Sequence, residues 1–377
     1  MTEPIETNVR LISSPRSWLN DEAIRQLYVL AKLDGVRKVV GLPNLSAGKT
    51  YPSGIVVACE DMIYPQLLGE DIGCGLSLFK TDRLLKDAQL DRWVELRFDL
   101  EHPWEGCVGG WLQDNQLPSN EFDADMGTLG GGHHFAELQA VERVHDPVAF
   151  KSIGLERQGL YLLVHSGSRG YGEAVARDFK LKHGDTGLEA FSDAGLAFQE
   201  AYAWLWTWAT ANRELIALRF LNMLGAEAIR VWDEHHNRLT NISTPPKRHW
   251  LVHARGASSS FGADFVVIPG SCGSLSYLVK RQGDDAQHLW SLPNGAGSKW
   301  PRSESRLRMR QRFGYQQLVQ SMESRVICEE RNRLYEQAPE SYRDLKDTIL
   351  DLVEAGCVSV VATFRPLLTY KTRTLRR

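Results

Sequence analysis

Apolar residues recur in short runs separated by glycine-rich polar turns over the first 164 positions of the chain. Four of these runs, IVVAC, GLSLF, HHFAEL and LYLLV, read as strands. Ahead of them, Asn20 stands where a helix cap belongs, and Ile24, Leu27, Leu30 and Ala31 form one apolar stripe behind it. The period then changes. From Leu196 to Leu224 the chain is mostly apolar, with Trp204, Trp208, Leu215 and Leu218 near helical spacing, which predicts a long helix packed into the core. Glu200, Arg213, Glu214 and Arg219 interrupt that stretch and argue against a membrane span. A second strand-rich block covers VHARGASSSFGADFVVIPGSCG. A basic helical stretch, a closing helix over Ser341–Ala355 and a last strand over Val358–Phe364 follow it. No repeat, low-complexity linker or composition break divides the chain. The expectation is an α+β fold, a single compact domain over residues 1–377 with mixed sheets surrounded by helices.

Composition changes this picture only at the margins. With 377 residues and a net charge of −3, the chain carries no global positive field, so nucleic-acid binding would need a local patch. The cysteines Cys59, Cys74, Cys107, Cys272, Cys328 and Cys357 form no CxxC pair, which fits a reducing compartment. The opening MTEPIETNVRLISSPRSWLN lacks the basic-then-apolar signature of a secretion signal. A cytoplasmic protein with no membrane partner is expected.

The chemistry is carried by strand ends. In DIGCGLSLF, Asp71 and Cys74 are three apart with Gly73 and Gly75 beside the cysteine, so a tight turn can aim both side chains at one point. A carboxylate beside a thiolate suits Mn, Zn or Co better than Mg, because sulfur is a soft ligand. A turn aspartate and a small buried cysteine would explain this motif equally well. In YLLVHSGSRGYGE an apolar strand runs into His165 and a small-residue loop carrying Arg169, an arrangement of N–H groups and a guanidinium fork that fits phosphate. The glycines at 167, 170 and 172 lack dinucleotide spacing.

GTLGGGHHFAEL places His133 and His134 after a glycine-rich turn. If HHFAEL is a strand, His133, Phe135 and Glu137 share one face while His134, Ala136 and Leu138 share the other. One imidazole is then free to bind metal while the other, with Glu137, faces a ligand. His236, in VWDEHHN, can join His134, His165, Asp71 and Cys74 as the fifth donor of a two-metal site. His102, His145, His183, His249, His253 and His288 have no ligand-like neighbourhood, and surface or core duty is expected of each.

The strings DIGCG, GTLGGGxHFAE, HSGSRGYG, HHN, RGA, IPGSCGSLSY, NGAGSKWPRSESR, APESY and a closing YK run in the order found in the RtcB family of RNA ligases. From about residue 41 to 371, nearly its whole length, the chain resembles that family. Its short length and LTYKTR ending look like the branch encoded beside a release-factor homologue. The resemblance implies joining of an RNA 2′,3′-cyclic phosphate or 3′-phosphate end to a 5′-hydroxyl end, with GTP and two Mn ions, through a histidine–GMP adduct. Its partners would be tRNA or other RNA with broken ends. The resemblance also implies that Cys74 bridges the ions, with Asp71 and His134 on one and His165 and His236 on the other. Guanosine-contacting positions of the family fall on Glu137, Pro269, Ser271, Ser276, Tyr342 and Lys371. Its phosphate-loop arginine falls on Arg169, and Arg302 matches a basic residue after the glycine loop.

Three positions depart from the family pattern. The motif HGAGR, whose histidine is guanylylated, reads NGAGS here, with Asn294 at the nucleophile position and Ser298 in place of the arginine. An amide nitrogen delocalises its lone pair into the carbonyl and cannot replace imidazole as nucleophile. His133 stands where the family has an asparagine that touches nucleotide phosphate. Three readings remain: an RtcB-type ligase, a member that binds metal and RNA ends without guanylylating, and a metal-dependent cyclic-phosphate hydrolase. The run RSESRLRMRQRF offers a path for an RNA backbone or simply a solvated helix face, and the RTLRR tail reads as a solvated end.

Overall fold

The computed structural model describes residues 8–244 and 248–372; the first seven residues, the RTLRR tail and the side chain of His249 lie outside this description. Two sheets organise the chain. In the larger, strands follow the spatial order Phe265–Ile268, Ser276–Arg281, Val358–Thr372, Phe135–Val144, Gly159–Ser166, Gly75–Leu84 and Ala228–His235. Arg325–Cys328 adds parallel to Val358–Thr372, and the other pairings are antiparallel. The smaller sheet runs Asn8–Leu11, Val36–Ser46, Ser53–Cys59, Arg248–Arg255 and Asn237–Thr244. With the helices packed around these sheets, the fold is α+β, as its sequence pattern predicts.

The predicted strands all form, the last of them continuing past Phe364 to Thr372, and two other boundaries move. The strand containing FAEL begins at Phe135, so His133 and His134 lie in the preceding turn rather than in the strand. The closing helix spans Leu345–Glu354 because the Asp344 side chain accepts from Lys346 N–H and caps it there. Tyr342 is consequently extended, and it bridges to Ser298.

The long helix spans Asp193–Leu224, started by a Ser192 cap and ended by Gly225 at φ 62°. Its buried row is Leu205, Ala209, Asn212, Ile216 and Phe220. Ile216 and Phe220 press on Leu138, Leu162 and Val164 of the larger sheet. Trp208 and Leu215 are covered by Leu112, Leu117 and Met126. Trp204 and Leu218, expected in the core, are each 40% exposed because they lie outside both contacts.

One helix residue braces the sheet. Arg213 is fully buried and ion-paired to Asp233 at 2.8 Å. Its Nη1 donates to the carbonyls of Gly73 at 3.4 Å and Ser166 at 3.2 Å, and its Nε to Ser77 at 2.9 Å. A buried guanidinium is tolerated only with this degree of pairing.

His253 takes core duty. Its Nε2 accepts from Tyr64 N–H at 2.9 Å and its Nδ1–H donates to Leu251 O at 3.1 Å, which fixes a neutral ring. Burial pushes its pKa down to about 4. Below the ordinary value near 6.5 the unfolded chain binds a proton that the folded chain refuses, so stability is lost as pH falls from there toward 4. His253→Gln keeps an acceptor for Tyr64 and cannot gain that proton. Its chemical-denaturation free energy should therefore fall less than the parent's over this range, by roughly 3 kcal/mol at the acid end. Parallel pH profiles would remove His253 from the acid response.

Candidate metal and nucleotide site

Strand register assembles the donors. Gly75 pairs with Ser166 on one side and His235 on the other, while Phe135 pairs with His165. Four neighbouring strands therefore present Cys74, His165, His236 and His134 at one level. His236 is the single residue between the edge strand of the larger sheet and Asn237–Thr244 of the smaller. Its N–H donates to Cys74 O at 2.9 Å. Asp71 arrives on a tight turn in which Cys74 N–H bonds Asp71 O at 3.2 Å and Gly73 sits at φ 82°. A Cβ on Gly73 would meet Leu205 at 2.5 Å, so only glycine fits there.

The result is two donor triads sharing one sulfur. Asp71, Cys74 and His134 form one and Cys74, His165 and His236 the other, each with its ligand atoms within 4.8 Å of one another. Cys74 Sγ lies 3.4 Å from His134 Nε2 and 3.3 Å from His165 Nε2, and Asp71 Oδ2 is 3.7 Å from His134 Nε2. His134 donates Nδ1–H to Leu129 O at 2.8 Å, which leaves its Nε2 lone pair aimed at the cluster, the usual way of orienting a ligating histidine. Burial holds His236 down to about 3 and, with the neighbouring imidazoles, His165 well below its ordinary value, so both rings are neutral. Burial and Asp71 push the Cys74 thiol well up. The His236 Nδ1 atom is buried without a hydrogen-bond partner among the described residues. Neutral imidazoles, a thiol, a carboxylate and an orphaned ring nitrogen suit a divalent transition-metal ion.

The adjacent His235 turns the other way. Its Nε2 faces Arg213 at 3.2 Å, and its ring lies against Trp206 at 3.8 Å between centroids.

The family model described as tRNA-splicing ligase RtcB matches residues 26–114 and 105–372. An RNA-splicing ligase RtcB2 from Escherichia coli is 36% identical over 373 residues, 98% of this chain and 97% of that protein. The tRNA-splicing ligases RtcB of Nanoarchaeum equitans and Aeropyrum pernix are 25% and 26% identical, and each alignment covers 92% of this chain. Those alignments take in 90% and 91% of the two archaeal proteins. This chain belongs to the RtcB family of RNA ligases.

The other positions that the sequence resemblance singles out fall into five sets of contacts. His133 Nε2 accepts from Arg302 at 3.0 Å, and its Nδ1–H donates to Tyr342 Oη at 2.9 Å. Burial, Arg302 and Lys371 hold this ring down to about 3. Glu137 accepts from Gln139 at 2.7 Å and Thr369 at 2.6 Å, and Gln139 also donates to Ser276 at 3.0 Å. His133 and Glu137 thus make separate contacts, contrary to the shared strand face expected of them, because His133 precedes the strand. Lys371 is buried, donates to Gln337, and pairs with no carboxylate among the described residues. Ser271 bonds Ser274 at 2.9 Å beside buried Pro269. Arg169 holds φ 57° and donates to Thr128 at 3.0 Å, and a Cβ on Gly130 would fall 1.5 Å from its guanidinium.

Asn294 approaches the donor cluster through backbone. Its N–H donates to Gly256 O at 3.3 Å, Gly256 N–H donates to Asn237 Oδ1 at 3.0 Å, and Asn237 Nδ2 donates to Asp71 O at 3.0 Å. Asn44 donates to both Gly256 O at 2.8 Å and Asn294 Oδ1 at 3.2 Å. Sequence reasoning missed Asn44, whose only signal is a polar residue within the buried strand run GLPNLS. His288 bonds Ser291 N–H at 3.2 Å and faces Asp285, so it serves the core. No described helix is long and apolar enough to cross a membrane.

Because one sulfur belongs to both triads, Cys74→Ala should abolish binding of two Mn ions, whereas His236→Ala should abolish one. Elemental analysis of Mn-loaded, desalted protein measures this. Full two-ion occupancy in Cys74→Ala would show that the donors are assigned wrongly.

Proposed function

We propose that this chain acts on RNA with broken ends, at a two-manganese, GTP-using site of RtcB type, and that Asn294 withholds the histidine–GMP step. The observation that carries the reading is the pair of triads on Cys74, with Asn294 tied to the backbone of Asp71 by three hydrogen bonds through Gly256 and the Asn237 side chain. Bound divalent ions would supply Lewis-acid charge for a phosphate. Asp71, Cys74, His134, His165 and His236 would hold them.

The remaining residues serve the nucleotide and the RNA end. The Arg169 guanidinium, fixed by Thr128 over Gly130, offers a fork for phosphate. Buried Lys371, lacking a carboxylate partner among the described residues, suits a polar or anionic ligand. Glu137 and Ser276, joined through Gln139, and Tyr342, joined to His133, line the guanosine side in this reading. Pro269 and Ser271 close it. The substrates would be 2′,3′-cyclic phosphate or 3′-phosphate RNA ends and 5′-hydroxyl ends, in tRNA or another cleaved RNA. A cytoplasmic setting and a link to a release-factor homologue accompany this reading.

The loop at 294–298 is held by contacts that need neither an imidazole at 294 nor a guanidinium at 298. Asn294 is held by Asn44, and Ser298 keeps a backbone bridge to Tyr342 that needs no arginine side chain. The amide at 294 accepts and donates hydrogen bonds but offers no lone pair for attack on phosphorus. Incubation with labelled GTP and Mn, followed by denaturing electrophoresis, should leave the parent unlabelled. Asn294→His should gain a covalent label, strongest when combined with Ser298→Arg and His133→Asn. Strong labelling of the parent would place the nucleophile elsewhere. An unlabelled triple variant would favour a protein that binds RNA ends without guanylylating.

A further inference from the structure

The arginine helix, Arg302–Arg312, carries a stripe that starts at the site and runs beyond it. Arg302, Arg306 and Arg310 are spaced by four, so they share one flank, while Ser305 and Met309 face the core. That flank meets the short helix Arg331–Glu336. Arg306 pairs with Glu336 at 3.4 Å, and Arg310 bonds Asn332. At its inner end the seam opens on the glycine loop. Arg302 bonds His133, and the Arg333 guanidinium lies 3.7 Å from where a Cβ on Gly131 would sit.

At the outer end two guanidiniums lie on rings. Arg310 sits 5.7 Å from the Tyr335 centroid and Arg331 4.8 Å from that of Tyr315. Both arginines are exposed, and neither pairs with a carboxylate among the described residues. Arg308 and Arg312 project from the opposite flank, toward Trp300 and Phe313.

We infer that the seam between these two helices is the track for the single-stranded RNA leading to the terminal phosphate. Charge spaced along a groove neutralises successive phosphates, and guanidiniums stacked on aromatic rings offer flat surfaces to bases without reading their identity. RNA is favoured over an acidic protein because the seam begins at Arg302, whose partner His133 bonds Tyr342 on the nucleotide side of the preceding reading, so a strand lying along it ends beside the site. The inference rests on that reading for direction alone. A chain of net charge −3 thereby concentrates its positive charge where the strand must pass.

The two flanks provide their own control, since each contributes two exposed arginines. Fluorescence anisotropy would compare a 3′-phosphorylated single strand of about twelve nucleotides with a 3′-phosphorylated dinucleotide, between about 50 and 200 mM salt. Arg310→Ala/Arg331→Ala should weaken the long strand roughly ten-fold and reduce the salt slope by about 1.4, two phosphate contacts' worth for single strands. Arg308→Ala/Arg312→Ala should do neither, and dinucleotide binding should be unchanged in both. Arg310→Lys/Arg331→Lys should keep the slope and lose part of the affinity, because charge survives and stacking does not. Equal losses from both flanks, no loss from the seam, or no gain with length in the parent would overturn the track. A parent dinucleotide affinity indifferent to the 3′-phosphate would instead overturn the site reading and leave the seam result standing.

Discussion

Arg213 has no exposed surface, yet it bonds the carbonyl that precedes Cys74 by one residue and the carbonyl that follows His165 by one. Its charge is balanced by Asp233 on the edge strand, two residues ahead of His235. A single guanidinium therefore ties together three strands whose ends supply donors. Removing it would strand a nearly buried carboxylate, a loss of roughly 3–5 kcal/mol in comparable buried pairs. It would also release the register on which the donor spacing rests. Close approach completes the arrangement, since a Cβ on Gly75 would come within 2.9 Å of the Arg213 guanidinium.

Much of this is legible in the sequence, and the reason is geometric. Each donor sits at or near a junction between an apolar run and a polar turn, and such a junction marks a strand end as well as a candidate site. Asp71, Cys74, His134, His165 and His236 therefore fall into one group on the sequence pattern alone. The departures are local. Alternation along HHFAEL carries the strand two residues too far toward the N-terminus, and the pairing of His133 with Glu137 falls with that boundary. The closing helix starts after Ser341 because the Asp344 cap, and not the apolar stripe, sets its first turn.

Other features have no sequence signal strong enough to read. Arg213 is visible as a charge within an apolar helix, which excludes a membrane span but does not reveal what the charge holds. Asn44 belongs to none of the motif strings, and only the fold brings it to Asn294. Trp204 and Leu218 fit the helical spacing of the core, but the sheet and the covering segment Leu112–Met126 leave them open. Periodicity gives a face, and the neighbouring elements decide how much of it is covered.

Everything proposed for the site depends on one cysteine sulfur lying where two donor triads meet. Crystals of the Mn-loaded protein, measured on both sides of the Mn absorption edge, address this directly. Two anomalous peaks are expected, both at bonding distance from Cys74 Sγ, one flanked by Asp71 and His134 and the other by His165 and His236. A single peak, or two peaks of which either avoids the sulfur, would contradict it.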